Sequence, residues 1–268
     1  MIPKISLENL KLSKIVCGTN QFVGITHRAN PFEMWAHLRR FKKAETVAKF
    51  MIHLLQEHGI NCCISSPRDK VYDAIQITEK ESGEKYHWIC SPSRRKTAKN
   101  IPRDVYKQVD WCVEREVSVC LMQRGYADKA IDKEKLTLGG NSLKYPSYPE
   151  ISAYIRDKGM IPGITTHFHE VLLSVEKNDY DTALLVTPVN KIGFTSNTDP
   201  KNIIEFVKYT KRQVMAIKPM AAGRIPPQEA FNFTLRNLKE NDFMAMGFGK
   251  FEYCVEDGKT VEEILKSS

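Results

Sequence analysis

Long apolar runs are missing from this sequence. The two longest, Met160-Ile161-Pro162-Gly163-Ile164 and Ala183-Leu184-Leu185-Val186, are strand-sized, far below the roughly 18 residues that a membrane span requires. Cysteine occurs seven times but never as Cys-x-x-Cys. Cys17, Cys62, Cys63, Cys90 and Cys120 sit in β-like runs, which fits reduced core thiols rather than a disulfide framework or a zinc knuckle. Lys4 and Glu8 interrupt any signal-peptide core, so a cytoplasmic location is expected. Lys and Arg outnumber Asp and Glu by 40 to 32, giving a net charge of +8, which favours an anionic partner. The chain nevertheless has no zinc-finger spacing, no RNP-like aromatic motif and no basic-helix heptad, which argues against nucleic acid. Its densest clusters, Arg39-Arg40-Phe41-Lys42-Lys43 and Arg94-Arg95-Lys96, read as solvated faces.

What is present is the composition of an ordinary globular protein: 42% hydrophobic and 27% charged residues over 268 positions. A chain of this length buries roughly three-quarters of its unfolded surface and needs no metal or disulfide staple. A short apolar or β-branched run, a polar turn and an amphipathic stretch alternate along it. The strand candidates are Lys14–Cys17, Ile60–Ile64, His87–Cys90, Val117–Met122, Ile161–Thr165, Ala183–Val186, Val214–Ile217 and Phe243–Met246. The helix candidates between them are Ala44–Glu57, Lys70–Glu79, Arg103–Arg115, Tyr148–Asp157, Glu170–Glu176, Asn202–Lys208, Pro227–Asn237 and Val261–Lys266. Asp199-Pro200 and Pro226-Pro227 mark helix starts, and Gly59 and Gly159 mark helix ends where a left-handed residue is wanted. Strict alternation implies parallel strands joined by right-handed crossovers, and eight such units in this length predict one (β/α)8 TIM barrel spanning residues 1–268. An open doubly wound sheet would show a glycine fingerprint after its first strand, but Gly18-Thr19-Asn20-Gln21-Phe22-Val23-Gly24 does not match G-x-G-x-x-G.

Both ends and much of the middle resemble the aldo-keto reductase superfamily. Ile5 through Thr19 is similar to that family's N-terminal hairpin, first strand and glycine-threonine turn. Gly59-Ile60-Asn61 resembles its entry to strand two, and Gly163-Ile164-Thr165-Thr166 stands where a glycine-valine-serine-asparagine turn follows strand five. Ala216-Ile217-Lys218-Pro219-Met220, Pro227-Gln228-Glu229-Ala230 and Met246-Gly247 resemble strand seven, helix seven and the end of strand eight. The resemblance implies a barrel with a short N-terminal hairpin. It also implies carbonyl reduction by a tyrosine, lysine, aspartate and histidine tetrad, and here the sequence departs. Ile64 falls at the aspartate, Asp69 at the tyrosine, Pro92 at the lysine and Gln123 at the histidine, with Tyr72 the nearest tyrosine if the register slips. On the nicotinamide side, Thr165-Thr166 replaces serine-asparagine, Val186 the glutamine and Ile217 the stacking tyrosine; only Lys250 matches a basic position near the phosphate loop.

Chemistry in such a barrel sits at the C-terminal ends of the strands. That rim carries Asn20, His27, Arg68, Gln123 and Arg124 as candidate substrate-binding residues. Arg68, Arg124 and Lys218 would together focus a carboxylate or phosphate. His167 follows a strand directly and, with an imidazole that ordinarily titrates near neutrality, is a candidate general acid or base. Lys218, between Ile217 and Pro219, is a candidate for Schiff-base chemistry through desolvation. His167, His169 and Glu170 form the candidate metal set. These features predict a barrel without the reductase tetrad that binds or transforms a small anionic metabolite. A divergent NADPH-dependent oxidoreductase and a non-catalytic binding or structural barrel stand as alternatives. NADPH and a divalent metal remain open as cofactors, and the substrate, reaction class and oligomeric state are unassigned.

Overall fold

The computed structural model describes residues 1–27, 30–92, 104–139 and 146–267. An antiparallel hairpin, β1 (Lys4–Leu7) and β2 (Leu10–Ser13), precedes eight parallel strands. These are β3 (Ile15–Gly18), β4 (Cys62–Ser65), β5 (His87–Cys90), β6 (Val119–Met122), β7 (Ile161–Thr165), β8 (Leu184–Pro188), β9 (Gln213–Ile217) and β10 (Phe243–Gly247). They close into a barrel in the order β10-β3-β4-β5-β6-β7-β8-β9. The helices are α1 (Pro31–Arg40), α2 (Ala44–His58), α3 (Asp69–Ser82), α4 (Val105–Val113), α5 (Arg124–Ala130), α6 (Tyr148–Asp157), α7 (His169–Lys177), α8 (Pro200–Tyr209), α9 (Pro227–Arg236) and α10 (Phe251–Ser267). Every expected strand is present, its ends displaced by at most two residues.

The strands read as nearly unbroken apolar runs because both faces are covered, as parallel sheets require. Successive residues alternate between two cores. Val16, Cys62, Ile89, Leu121, Val186, Met215 and Ala245 point into the barrel, whose base is plugged by Ile5, Leu7 and Leu12 of the hairpin. Ile15, Cys17, Cys63, Trp88, Cys120 and Met244 point outward against the helices. All seven cysteines are buried and free.

Local signals set the helix ends. Ser147 and Glu150 form a reciprocal capping box at the start of α6, and Asp199 caps α8 ahead of Pro200. Gly59 ends α2 in the left-handed conformation, φ 73°, donating its N–H to the carbonyls of the last turn.

Two helices were not anticipated, α1 and α5, and α10 begins at Phe251 rather than Val261. α1 leaves Phe32, Trp35 and Leu38 exposed and so shows no buried apolar stripe. α5 spans only 7 residues. In α10 the mid-helix Gly258, over which the His58 ring packs, breaks the pattern. The Arg94-Arg95-Lys96 cluster and the expected helix start at Arg103 lie outside the described residues.

Gly163 marks the tightest point of the inner wall. A Cβ there would stand 2.6 Å from the Leu184 carbonyl oxygen of the neighbouring strand and 2.5 Å from Leu121 Cδ2. A side chain could flex, but a ladder carbonyl could not. Gly163→Ala is therefore expected to cost about 1–3 kcal/mol through overpacking. Chemical denaturation should show an earlier midpoint; an unchanged midpoint would contradict this close approach.

Candidate functional site

The C-terminal ends of the strands surround a mouth floored by Ile64 and Ile217, both partly exposed at the top of the inner core. Lys218 leaves β9 with a left-handed backbone, φ 60°. Its Nζ forms no hydrogen bond or ion pair among the described residues and lies 6.0 Å from the Phe194 ring centroid. Burial pushes its pKa down to about 8, and the neighbouring Arg124 charge adds to the effect. Arg124 opens α5, is solvent-exposed, and makes no hydrogen bond or close ion pair among the described residues, although its charge is felt by Asp128 one turn along the helix.

Two histidines face this pair. His167 is 6% exposed; burial, followed by the charges of Lys218 and Arg124, pushes its pKa down to about 2. The same causes in the same order lower His27 to about 4. Both imidazoles are therefore neutral at physiological pH, which corrects the expectation that His167 titrates near neutrality. It can accept or donate a hydrogen bond, but it does not stand ready as an imidazolium acid.

The surrounding loops are built to hold this arrangement. Asn20 Nδ2 lies 3.4 Å from His27 Nε2. Asn190 is buried and clasps the Phe194 backbone on both sides, its Oδ1 accepting from Phe194 N at 2.7 Å and its Nδ2 donating to Phe194 O at 3.2 Å. The ring so fixed meets His27 edge-on and carries the Arg224 guanidinium at 4.5 Å. Asp128 of α5, which the sequence did not single out, accepts from the Thr166 hydroxyl and from His167 N at 3.3 Å. Burial raises its pKa, while these donors and Arg124 act the other way.

Other sequence candidates are placed elsewhere. Arg68 donates to its neighbour Pro67 O at 3.3 Å and senses Cys90 and Lys70 rather than Lys218 or Arg124. Of the three expected cations, Lys218 and Arg124 are electrostatically coupled, and Arg68 is not among the charges that shift Lys218. Gln123 caps α5, its Oε1 accepting from Gly125 N at 2.6 Å. The metal set does not assemble. Glu170 is held by Lys133 at 2.8 Å and Asn197 at 2.6 Å, and these outweigh burial to bring its carboxyl down to about 2. The His169 ring packs edge-on against Phe206. Among the described residues no three His, Cys, Asp or Glu side chains gather as a metal site.

No protein-family model matches the chain, and none of the curated proteins is similar to it in sequence. Solved structures do match. A candidate aldo-keto reductase from Pseudomonas aeruginosa superposes with a TM-score of 0.64 at 13% identity, over 98% of this chain and 94% of that one. The glycerol dehydrogenase from Gluconobacter oxydans gives 0.60 at 14% identity, over 98% and 95%. A more distant barrel, the thiamine phosphate pyrophosphorylase from Pyrococcus furiosus, gives 0.52 at 13% identity, over 94% and 95%. The chain has an aldo-keto reductase-like fold.

Of the residues that the sequence resemblance sets at the tetrad positions, Ile64 belongs to the inner wall, and Asp69 turns out to Arg115 at 3.1 Å. Tyr72 stacks on Trp88 in the layer between barrel and helices, and Tyr126 is buried in that same layer. At the same rim the Thr166 hydroxyl donates to Asp128, Ile217 ends β9, and Lys218 follows it. Among the described residues no helix is long and apolar enough to cross a membrane.

The neutral histidines carry a stability cost in acid. Between the ordinary histidine value near 6.5 and the lowered values, the unfolded chain binds protons that the folded chain refuses, so stability falls as pH drops. His37, His53, His87 and His169 are shifted in the same direction. The melting temperature should decline from pH 6.5 to pH 4, and His167→Asn should flatten part of that decline. Equal declines in both proteins would show that His167 is not held neutral by the fold.

Proposed function

We propose that the barrel mouth binds a small anionic metabolite, with Lys218 and Arg124 as the holding cations and His27 and His167 as neutral hydrogen-bonding walls. The observation that carries this reading is the unpaired Lys218 amine, half-buried beside a second cation. Other half-buried lysines of this chain are satisfied. Lys14 donates to the carbonyls of Lys239 and Glu240, Lys70 to those of Phe22 and Phe41, and Lys239 to Asp242. Lys218 is desolvated and the exposed Arg124 adds a like charge beside it; an anion would relieve that repulsion while accepting charge-assisted hydrogen bonds of about 1.5–3 kcal/mol each. The fold likeness to barrel enzymes supports a metabolite site at this end. It does not choose between binding and turnover. Nicotinamide-dependent reduction is the weaker alternative, because the Tyr72 ring is stacked on Trp88 and Tyr126 is buried in the layer between barrel and helices.

Inorganic phosphate, sulfate and short carboxylic acids should raise the melting temperature, less so as salt increases. The effect should be lost in Lys218→Met, reduced in Arg124→Gln and kept in Arg68→Gln. Because only protonated Lys218 attracts an anion, affinity should fall as pH rises through about 8. Equal stabilisation of wild type and Lys218→Met, or none by any anion, would overturn the reading.

A further inference from the structure

We propose that Lys218 is a carbonyl-capturing residue, its Nζ condensing with the aldehyde or ketone of a small carboxylated or phosphorylated carbonyl compound to form an imine in the mouth. This rests on the anion-binding reading and names the substrate class of that same site.

The first support is geometric. Lys218, Ala221 and Ala222 all adopt left-handed backbone conformations, with φ of 60°, 47° and 59°, although none is glycine. Ala221 N–H donates to Lys218 O at 3.0 Å, and Arg224 donates to Ala221 O at 3.0 Å, so the loop is pinned in this disfavoured form. Such strain persists only where the surroundings impose it, and it gathers at functional positions. Here its result is to hold the lysine at the rim with no acceptor for its ammonium.

The second support is electrostatic. Among the described residues the charged groups about Nζ are cations, Arg124 from α5 and Arg224, which shares the Phe194 ring, and His27 from the loop after β3 and His167 from the loop after β7 are neutral; only the Phe194 ring, 6.0 Å away, favours the ammonium. Asp128, the nearest acid of this cluster, is turned to Thr166 and His167. A lysine in such surroundings is partly free amine near neutral pH, and the free amine is the nucleophile.

The chemistry balances without a co-reactant. The Nζ lone pair attacks the carbonyl carbon, the C=O π pair moves to oxygen, and one N–H proton passes to that oxygen to give a carbinolamine. Loss of the hydroxyl with a second N–H proton as water leaves the C=N bond. His167, held neutral by burial and by the two cations, lines the site as a hydrogen-bonding wall, and the proton passes from nitrogen to the departing oxygen through solvent. Arg124 holds the anionic end of the substrate.

The experiment is reductive trapping on the full chain. The protein is incubated with glyoxylate, glyceraldehyde 3-phosphate or uncharged acetaldehyde in the presence of cyanoborohydride, and each modified lysine is located by peptide mass spectrometry. Lys218 should be labelled at least about tenfold faster by the two anions than the exposed Lys201 and Lys208, with a rate that climbs as pH rises through about 8. Inorganic phosphate should slow Lys218 labelling and leave the surface sites unchanged. Arg124→Gln should move the pH midpoint upward. Lys218 labelled no faster than Lys201 and Lys208 would overturn the proposal, even where phosphate stabilises the protein and the anion-binding reading survives. Acetaldehyde labelling Lys218 as fast as the anions, with no phosphate protection, would overturn the anionic substrate class together with that reading.

Discussion

Everything at the mouth depends on the pairing that closes the barrel. Met244, Ala245, Met246 and Gly247 of β10 lie in parallel register with Ile15, Val16, Cys17 and Gly18 of β3. The approach is close enough that a Cβ on Gly18 would sit 3.2 Å from the Met246 carbonyl oxygen, so glycine at this position is a packing requirement. Closure brings the loop after the first barrel strand beside the loop after the seventh, although about 190 residues separate His27 from Lys218 in the chain. In an open sheet these strands would not meet, and the cationic cluster would not exist.

The chain's excess of positive charge acquires a location in this way. Around the outside, basic side chains are answered by acids: Arg156 by Glu8 and Asp181, Arg212 by Glu176 and Asp179, Lys85 by Glu79 and Glu116. Such pairs are partly exposed and contribute little to stability. At the mouth the pattern stops, and Lys218 and Arg124 press on two histidines that stay neutral. It is this contrast that the proposed anion-binding role rests on.

Much of this was legible in the sequence, and the omissions have physical causes. Strands buried on both faces announce themselves as short apolar runs, so β3 through β10 were readable, while the N-terminal hairpin was expected from the family resemblance alone. α1 escaped because its apolar side chains face solvent, and α5 because a short helix with a glycine in its first turn carries too little periodicity. Missing α5 meant missing Asp128, whose role depends on a contact with Thr166 across 38 positions. Lys218, Arg124 and His167 were singled out because strand ends are where such a barrel carries chemistry. The depressed titration of His167 was not, since it comes from neighbours that only the closed barrel assembles. Glu170 shows the reverse case: its residue type suited a metal, but it is taken by Lys133 and Asn197.

The central claim is that the mouth holds an uncompensated lysine awaiting an anion. It is tested most directly by nuclear magnetic resonance of the protein carrying lysine labelled at the ε position, with the Lys218 signal assigned by its loss in Lys218→Arg. The account predicts that this amine titrates near pH 8 in the free protein and at higher pH once inorganic phosphate is added. A Lys218 signal that titrates near the ordinary lysine value of 10.5 and ignores phosphate would contradict it.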